Sequence, residues 1–293
     1  MDFKTIIFEK TDNIATITLN RPDKLNAIDV EMDVEFCKAI DLVEEDDDIK
    51  VVILKGAGKC FSAGGDLEGA YKYYEGTTRF QGGKGEPGKR RPSQRIKLIV
   101  DRDVHGEPFR RALECWKPII AQIHGYCIGL GLYLTTACDI SIAAEDAIIG
   151  HPEQRLGFAG STFMLLAEMQ LVGYKRMREI LLTGKTMSGI EAAEIGLINR
   201  AVPVEKLEEE VLNLAKAICL MPRDAVVMGK AHTMLAFDTM GITAGLRQGE
   251  IMHSLCTNLR WEEDEFNFLR EREKIGAREA FHKMHDRFKK LGF

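Results

Sequence analysis

The chain has 293 residues, 45% of them hydrophobic and 29% charged, with a net charge of −5. That length buries a large core and suits one large domain, or one domain with an appendage. The mild acidity argues against a nucleic-acid partner. No apolar run approaches the roughly 20 residues of a membrane span, and the opening MDFKTIIFEK lacks a signal-peptide core, so a cytoplasmic protein without a membrane partner is expected. The seven cysteines form no CxxC pair and fall mostly in apolar runs. Buried free thiols are expected, and no metal site.

Ile6–Glu9 and Ile14–Leu19 alternate apolar and polar residues and read as a hairpin around Thr11-Asp12-Asn13. Asp29 to Glu45 carries helical spacing, and Val51 to Lys55 is a buried-strand run. From about Glu75 to Ser93, EGTTRFQGGKGEPGKRRPS is rich in Gly, Pro and positive charge. It reads as a surface loop, functional or disordered. Helical periodicity resumes over Ser93 to Trp116, and Ile119 to Ile123 is another strand. Then come Gly125, Gly129 and Gly131, an amphipathic stretch, and the strand Ile140 to Ala144. Strands alternating with helices imply an α/β fold with parallel strands and crossovers. The remainder is helical: 162–172, 175–182, 188–195, 204–219, 222–236 and 243–255, with Gly184 and Gly196 as stops.

Two glycine-bearing turns carry candidate chemistry. Phe61-Ser62-Ala63-Gly64-Gly65-Asp66 follows a strand, and its small residues let a ligand approach the backbone. Asp66 could cap a following helix. The second turn, GYCIGLG at 125–131, lacks the GxGxxG form of a dinucleotide site, and no Walker A lysine follows a glycine loop. A strand, a glycine turn and a helix start place backbone N–H groups where negative charge can develop. A lone carboxylate, Glu153, follows His151-Pro152.

RPDKLNAI at 21–28, FSAGGDL at 61–67, the 125–131 turn, ACDI at 137–140, GHPE at 150–153 and TGKTMSGIEAAEIGLINRAVP at 183–203 occur in one order. Together they resemble the enoyl-CoA hydratase/isomerase (crotonase) superfamily, over nearly the whole chain. The resemblance implies a spiral of ββα repeats over residues 1–200, with the inserted loop at about 75–93. A helical trimerisation region over 201–293 would follow, in a homotrimer or dimer of trimers. It implies an acyl-CoA thioester as substrate and no cofactor beyond the coenzyme A that the substrate carries. By position, Ala63 and Leu130 would supply the two oxyanion-hole N–H donors, and Glu153 the acid/base. Lys24, Leu25, Ala27, Gly64, Gly65, Asp66, Leu67, Tyr71, Gly129, Ser161 and Phe281 would line the substrate, with Lys283 or Arg287 near Phe281.

Tyr133 stands where typical hydratases carry a second glutamate. A phenol is a poor base at neutral pH and a good donor, so two-carboxylate hydration is compromised. One glutamate suffices for Δ3–Δ2 isomerisation, and Ser161 replaces the aspartate of dienoyl-CoA isomerases. Double-bond chemistry on a specialised, bulky or cyclic acyl-CoA is therefore expected. Hydrolysis of a carbon–carbon bond in a cyclic β-ketoacyl-CoA is the alternative, and a catalytically silent scaffold a further one. Tyr133 either packs with its hydroxyl on a backbone group or points into the acyl pocket. His151 reads as a surface or loop residue or as a tuner of Glu153, and His105 as structural or as a further acid–base group. Tyr71, Tyr73 and Tyr74 either contact the acyl group or cover the core, and Lys84–Arg91 either meets the CoA phosphates or is solvated.

Overall fold

The hairpin forms as the alternation predicts: Ile6–Thr11 (β1) pairs antiparallel with Ile14–Leu19 (β2), and Asp12 takes the left-handed φ of 53° that the tight turn needs. The computed structural model describes residues 2–67, 94–158, 160, 162–256 and 262–292. The expected loop at 75–93, Tyr71, Tyr73, Tyr74 and Ser161 lie outside the described residues.

Val30–Glu45 (α1) starts at Asp29, whose side chain accepts from the Met32 N–H at 2.9 Å. It buries Met32, Phe36, Ala39, Ile40 and Val43, one stripe at 3.6-residue spacing. Val51–Gly56 (β3), Ile119–Ile123 (β4), Ile140–Ala144 (β6) and Arg200–Val202 (β9) extend the sheet in the order β1-β2-β3-β4-β6-β9. All neighbours except the hairpin pair run parallel. Their near-continuous burial is what a parallel sheet covered on both faces requires. A smaller sheet joins Tyr126–Ile128 (β5), Ile148–Gly150 (β7) and Thr186–Ser188 (β8). Single bridges Ser62↔Cys127 and Ile28↔Gly65 lay the 62–65 segment between β5 and the 25–28 loop.

The helix expected over 93–116 is broken. Gln94–Val100 (α2) runs into a π-helical turn, Asp101–His105, before Glu107–Glu114 (α3). Gly106 donates to Asp101 O at 2.7 Å, and a Cβ there would come within 3.1 Å of Glu250 Oε1. The wide turn turns Asp101 and His105 toward different partners, as π-bulges at functional positions do.

Leu130–Thr136 (α4) follows β5; Leu165–Val172 (α5), Tyr174–Thr183 (α6) and Gly189–Glu194 (α7) follow β7 and β8. Val204–Cys219 (α8) lies against β2, β3, β4 and β6, burying Leu207, Val211 and Ala215. A boundary at residue 200 therefore passes through the sheet: β9 and α8 pack with the strands before them. Arg223–Met240 (α9) and Ile242–Cys256 (α10) turn at Gly241 and leave Met228, Leu235, Ile251 and Leu255 exposed. Phe268–Ile275 (α11) and Ala277–Lys289 (α12), joined at Gly276, fall in the C-terminal region expected to be helical, though periodicity did not single them out. Among the described residues no helix is long and apolar enough to cross a membrane.

Candidate active site

The 62–66 segment has almost every backbone donor accounted for. Ser62 N–H donates to Tyr126 O at 2.8 Å, Ala63 N–H to Leu25 O at 2.9 Å, Gly64 N–H to Ser62 Oγ at 3.1 Å and Asp66 N–H to Ile28 O at 2.9 Å. This corrects the expectation for Ala63. Its N–H is spent on Leu25, because successive amides of an extended segment face alternate neighbours. Among the described residues the unspent donor is two residues on, at Gly65. Leu130 N–H, in the first turn of α4, is likewise without a backbone partner among the described residues, as first-turn amides are within a helix. The Leu130 side chain lies against Gly65, where a Cβ would sit 3.3 Å from Leu130 Cδ1.

Side chains hold this wall in place. Buried Asn26, at a left-handed φ of 53°, accepts from Arg21 N–H at 2.9 Å and donates to Ala57 O and Cys60 O, each at 2.8 Å. Asp66 accepts from Arg21 Nη2 at 2.9 Å, and the residues it was expected to cap lie outside the described ones. Arg21 also meets Asp29 at 3.1 Å and donates to Ala27 O, so one guanidinium ties both loops together.

The opposite wall is made of side chains. Glu153 sits on a 3-10 turn, Pro152–Leu156, with its carboxylate over Gly129. Gly129 has φ 53° and ψ −115°, a conformation that glycine alone adopts easily, and any Cβ there would overlap Glu153 Oε1. Glu153 is about a quarter exposed, and its buried Oε2 has no hydrogen-bond partner among the described residues. Its Oε1 is the nearest atom to where a Gly129 Cβ would sit, one residue before Leu130.

Tyr133 does not face that space. It is 2% exposed, and its hydroxyl accepts from the Thr162 N–H at 2.9 Å. Its ring stacks on His151 at 4.8 Å and meets Phe109 and Phe163 edge-on. Burial, with Glu153 and Glu168 adding to it, raises the phenol well above its ordinary value, so it stays neutral. The expectation of a catalytic group at 133 gives way to a packed aromatic, because α4 aims this position inward at the core.

His151 is 1% exposed, not a surface residue, and its Nε2 lies 2.9 Å from Oε1 of fully buried Glu168 on α5. Burial opposes its charge, but Glu168 and Glu153 outweigh that and push it up to about 10. Glu168 escaped the sequence reading; its signal was a single acid inside the apolar run LLAEMQLV. Cys127, beneath the turn, is pushed up to about 12 by burial and offers no thiolate.

Lys24 and Leu25 are exposed at the end of a short 3-10 turn, with Ala27 half-buried beside them. Leu67 O accepts from Arg272 of α11 at 2.5 Å. Phe281 on α12 joins Leu67, Leu156 and Phe158 in a second apolar cluster beside the Glu153 turn. His105 pairs with Asp33 at 3.2 Å and His253 with Asp101 at 2.9 Å. Their rings are 5.8 Å apart, and Phe163 separates His253 from Tyr133. Burial lowers His105, but its hydrogen bond and attraction to Asp33 outweigh that and raise it.

The sequence profile of the enoyl-CoA hydratase/isomerase family matches residues 9–90 and 99–274. The chain belongs to this family. It is 28% identical over 272 residues to a hydroxycinnamoyl-CoA hydratase-lyase of Pseudomonas fluorescens, covering 90% of this chain and 83% of that one. Against a peroxisomal Δ(3,5)-Δ(2,4)-dienoyl-CoA isomerase of Arabidopsis thaliana it is 33% identical over 215 residues, covering 73% and 74%. The crystal structure of an enoyl-CoA hydratase from Mycobacterium smegmatis superposes with a TM-score of 0.84 at 27% identity, over 98% of this chain and 96% of that one. The architecture is the crotonase fold.

Proposed function

We propose that the enzyme binds an acyl-CoA thioester and isomerises a double bond through an enolate, with Glu153 as its single acid/base. The observation that carries this is the pairing of one open carboxylate with two unspent amides. Glu153 lies over Gly129, while Gly65 and Leu130 keep N–H groups free and the tyrosine at the second-glutamate position is engaged by Thr162. In this reading the thioester oxygen sits between Gly65 and Leu130. Each donor to a developing oxyanion lowers the barrier by roughly 3 to 4 kcal/mol. Glu153 takes a proton from C2 of a 3-enoyl thioester, charge spreads onto the thioester oxygen, and the same proton returns at C4. Atoms and charge balance without water, metal or redox cofactor; coenzyme A enters as part of the substrate. Lys24, Leu25 and Phe281 are proposed CoA contacts. The apolar faces left exposed on α9 and α10 support assembly as a homotrimer or dimer of trimers.

A panel of 3-enoyl-CoA substrates, linear and cyclic, tests the reading, since product mass stays unchanged. Glu153→Gln should lower the rate by at least about 100-fold while calorimetry still registers acyl-CoA binding. An unchanged rate refutes the assigned role. The His105–Asp33 and His253–Asp101 pairs behind Phe163 favour one second reading, carbon–carbon hydrolysis of a cyclic β-ketoacyl-CoA. That reaction adds the mass of water and creates a carboxylate.

A further inference from the structure

The buried charges behind Glu153 have no part in the proton transfer itself. Glu168 is completely buried on α5, and the only imidazole it meets among the described residues is that of His151, two residues before Glu153. The imidazole is held on three sides. Nε2 faces Glu168 Oε1 at 2.9 Å, one ring face carries Tyr133, and Nδ1 looks toward Glu153 Oε1 at 3.7 Å with no hydrogen-bond partner. A buried ion pair is no stronger than a well-packed apolar pair of the same volume. Core stability alone therefore does not explain a charged pair here, one ring away from the open carboxylate.

We propose that His151 is a positioning residue for Glu153. Clamped by Glu168 and stacked against Tyr133, it presents Nδ1–H to the Glu153 carboxylate and fixes its orientation over Gly129. This rests on Glu153 being the acid/base. The distance of 3.7 Å is that of an ion pair rather than a hydrogen bond, and such contacts commonly tighten once substrate fills a site. The anchoring runs one way. Glu168 is locked in α5 and Tyr133 in α4, whereas Glu153 is the exposed member and the one able to turn. With a single acid/base serving both C2 and C4, an aimed carboxylate matters more than in a two-carboxylate site.

The groups that face His151 are Glu168 from α5, Glu153 from its own turn and Tyr133 from α4. The folded imidazole is raised above its ordinary value, so its contribution to stability is complete below about pH 6.5 and is lost as pH rises through about 10. Histidine-labelled full-length protein, followed by NMR from pH 6 to 10.5 and assigned with His151→Gln, reads this directly. Coupling is reciprocal, so Glu153→Gln should move the His151 midpoint down by at least about half a pH unit. A midpoint that Glu153→Gln leaves in place overturns the proposal, whether or not the protein turns over any substrate. Kinetics supply the second reading, with trans-3-hexenoyl-CoA as probe. The double variant His151→Gln/Glu168→Gln leaves no lone buried charge, and it should lose at least tenfold in kcat with KM within about twofold. A kcat at the wild-type value in the folded double variant also overturns it. If the isomerase reading fails while the NMR coupling persists, only the reaction has been misassigned.

Discussion

The two walls of the site are built by opposite means. The 62–66 wall is a lattice of main-chain hydrogen bonds pinned by Asn26 and Arg21, and what it offers is an amide at Gly65. The facing wall is a nest of side chains, Tyr133, His151 and Glu168, around the quarter-exposed carboxylate of Glu153. A backbone donor survives most changes of side chain, whereas a carboxylate survives only where its neighbours hold it. Leu130 can therefore be bulky without cost to its N–H, while Gly129 beneath Glu153 cannot gain a single carbon.

The sharpest break in this contrast is Gly129→Ala. The new methyl overlaps Glu153 Oε1 and strains the backbone, so turnover should fall by more than about 100-fold with a stability loss of about 1–3 kcal/mol, read by kinetics and denaturant unfolding. Asn26→Ala attacks the lattice instead. Two buried carbonyls and the Arg21 amide lose their partner at a left-handed position, and unfolding should register a loss of about 3 kcal/mol. Tyr133→Phe is the mildest. It removes the acceptor of Thr162 N–H, which should cost about 1–2 kcal/mol and leave the rate within about threefold. A hundredfold rate loss there would return Tyr133 to the chemistry and dissolve the contrast between the walls.

Local pattern carried most of the fold into view. The β1–β2 hairpin, α1 with its Asp29 cap and the α8 stripe all rest on periodicity and capping that neighbouring residues determine. The π-helical turn at 101–105 was hidden because one extra residue per turn leaves the apolar spacing on either side intact. The α11–α12 hairpin carries few buried side chains of its own, and so a weak pattern. In the candidate site, the glycine turn at 125–131 and the carboxylate after His151-Pro152 stood out in the sequence, and the family resemblance singled out Leu130 and Glu153 within them. The identity of the free amide was not legible there. Whether Ala63 or Gly65 keeps its N–H depends on Leu25 lying alongside, a contact between residues 38 positions apart in the sequence. The same holds for Glu168, which reaches His151 across 17 residues.

Arg155, two residues beyond Glu153, donates to Thr183 O at 2.8 Å and to His285 Nδ1 at 3.0 Å, and its guanidinium lies 4.2 Å from the Phe288 ring centroid. Burial and the guanidinium lower His285, which keeps it a neutral acceptor. The α12 helix thus acts as a splint on the short turn that carries Glu153. Residues some 130 positions apart are mechanically one piece, and whatever lifts α12 also slackens the hold on the Glu153 turn.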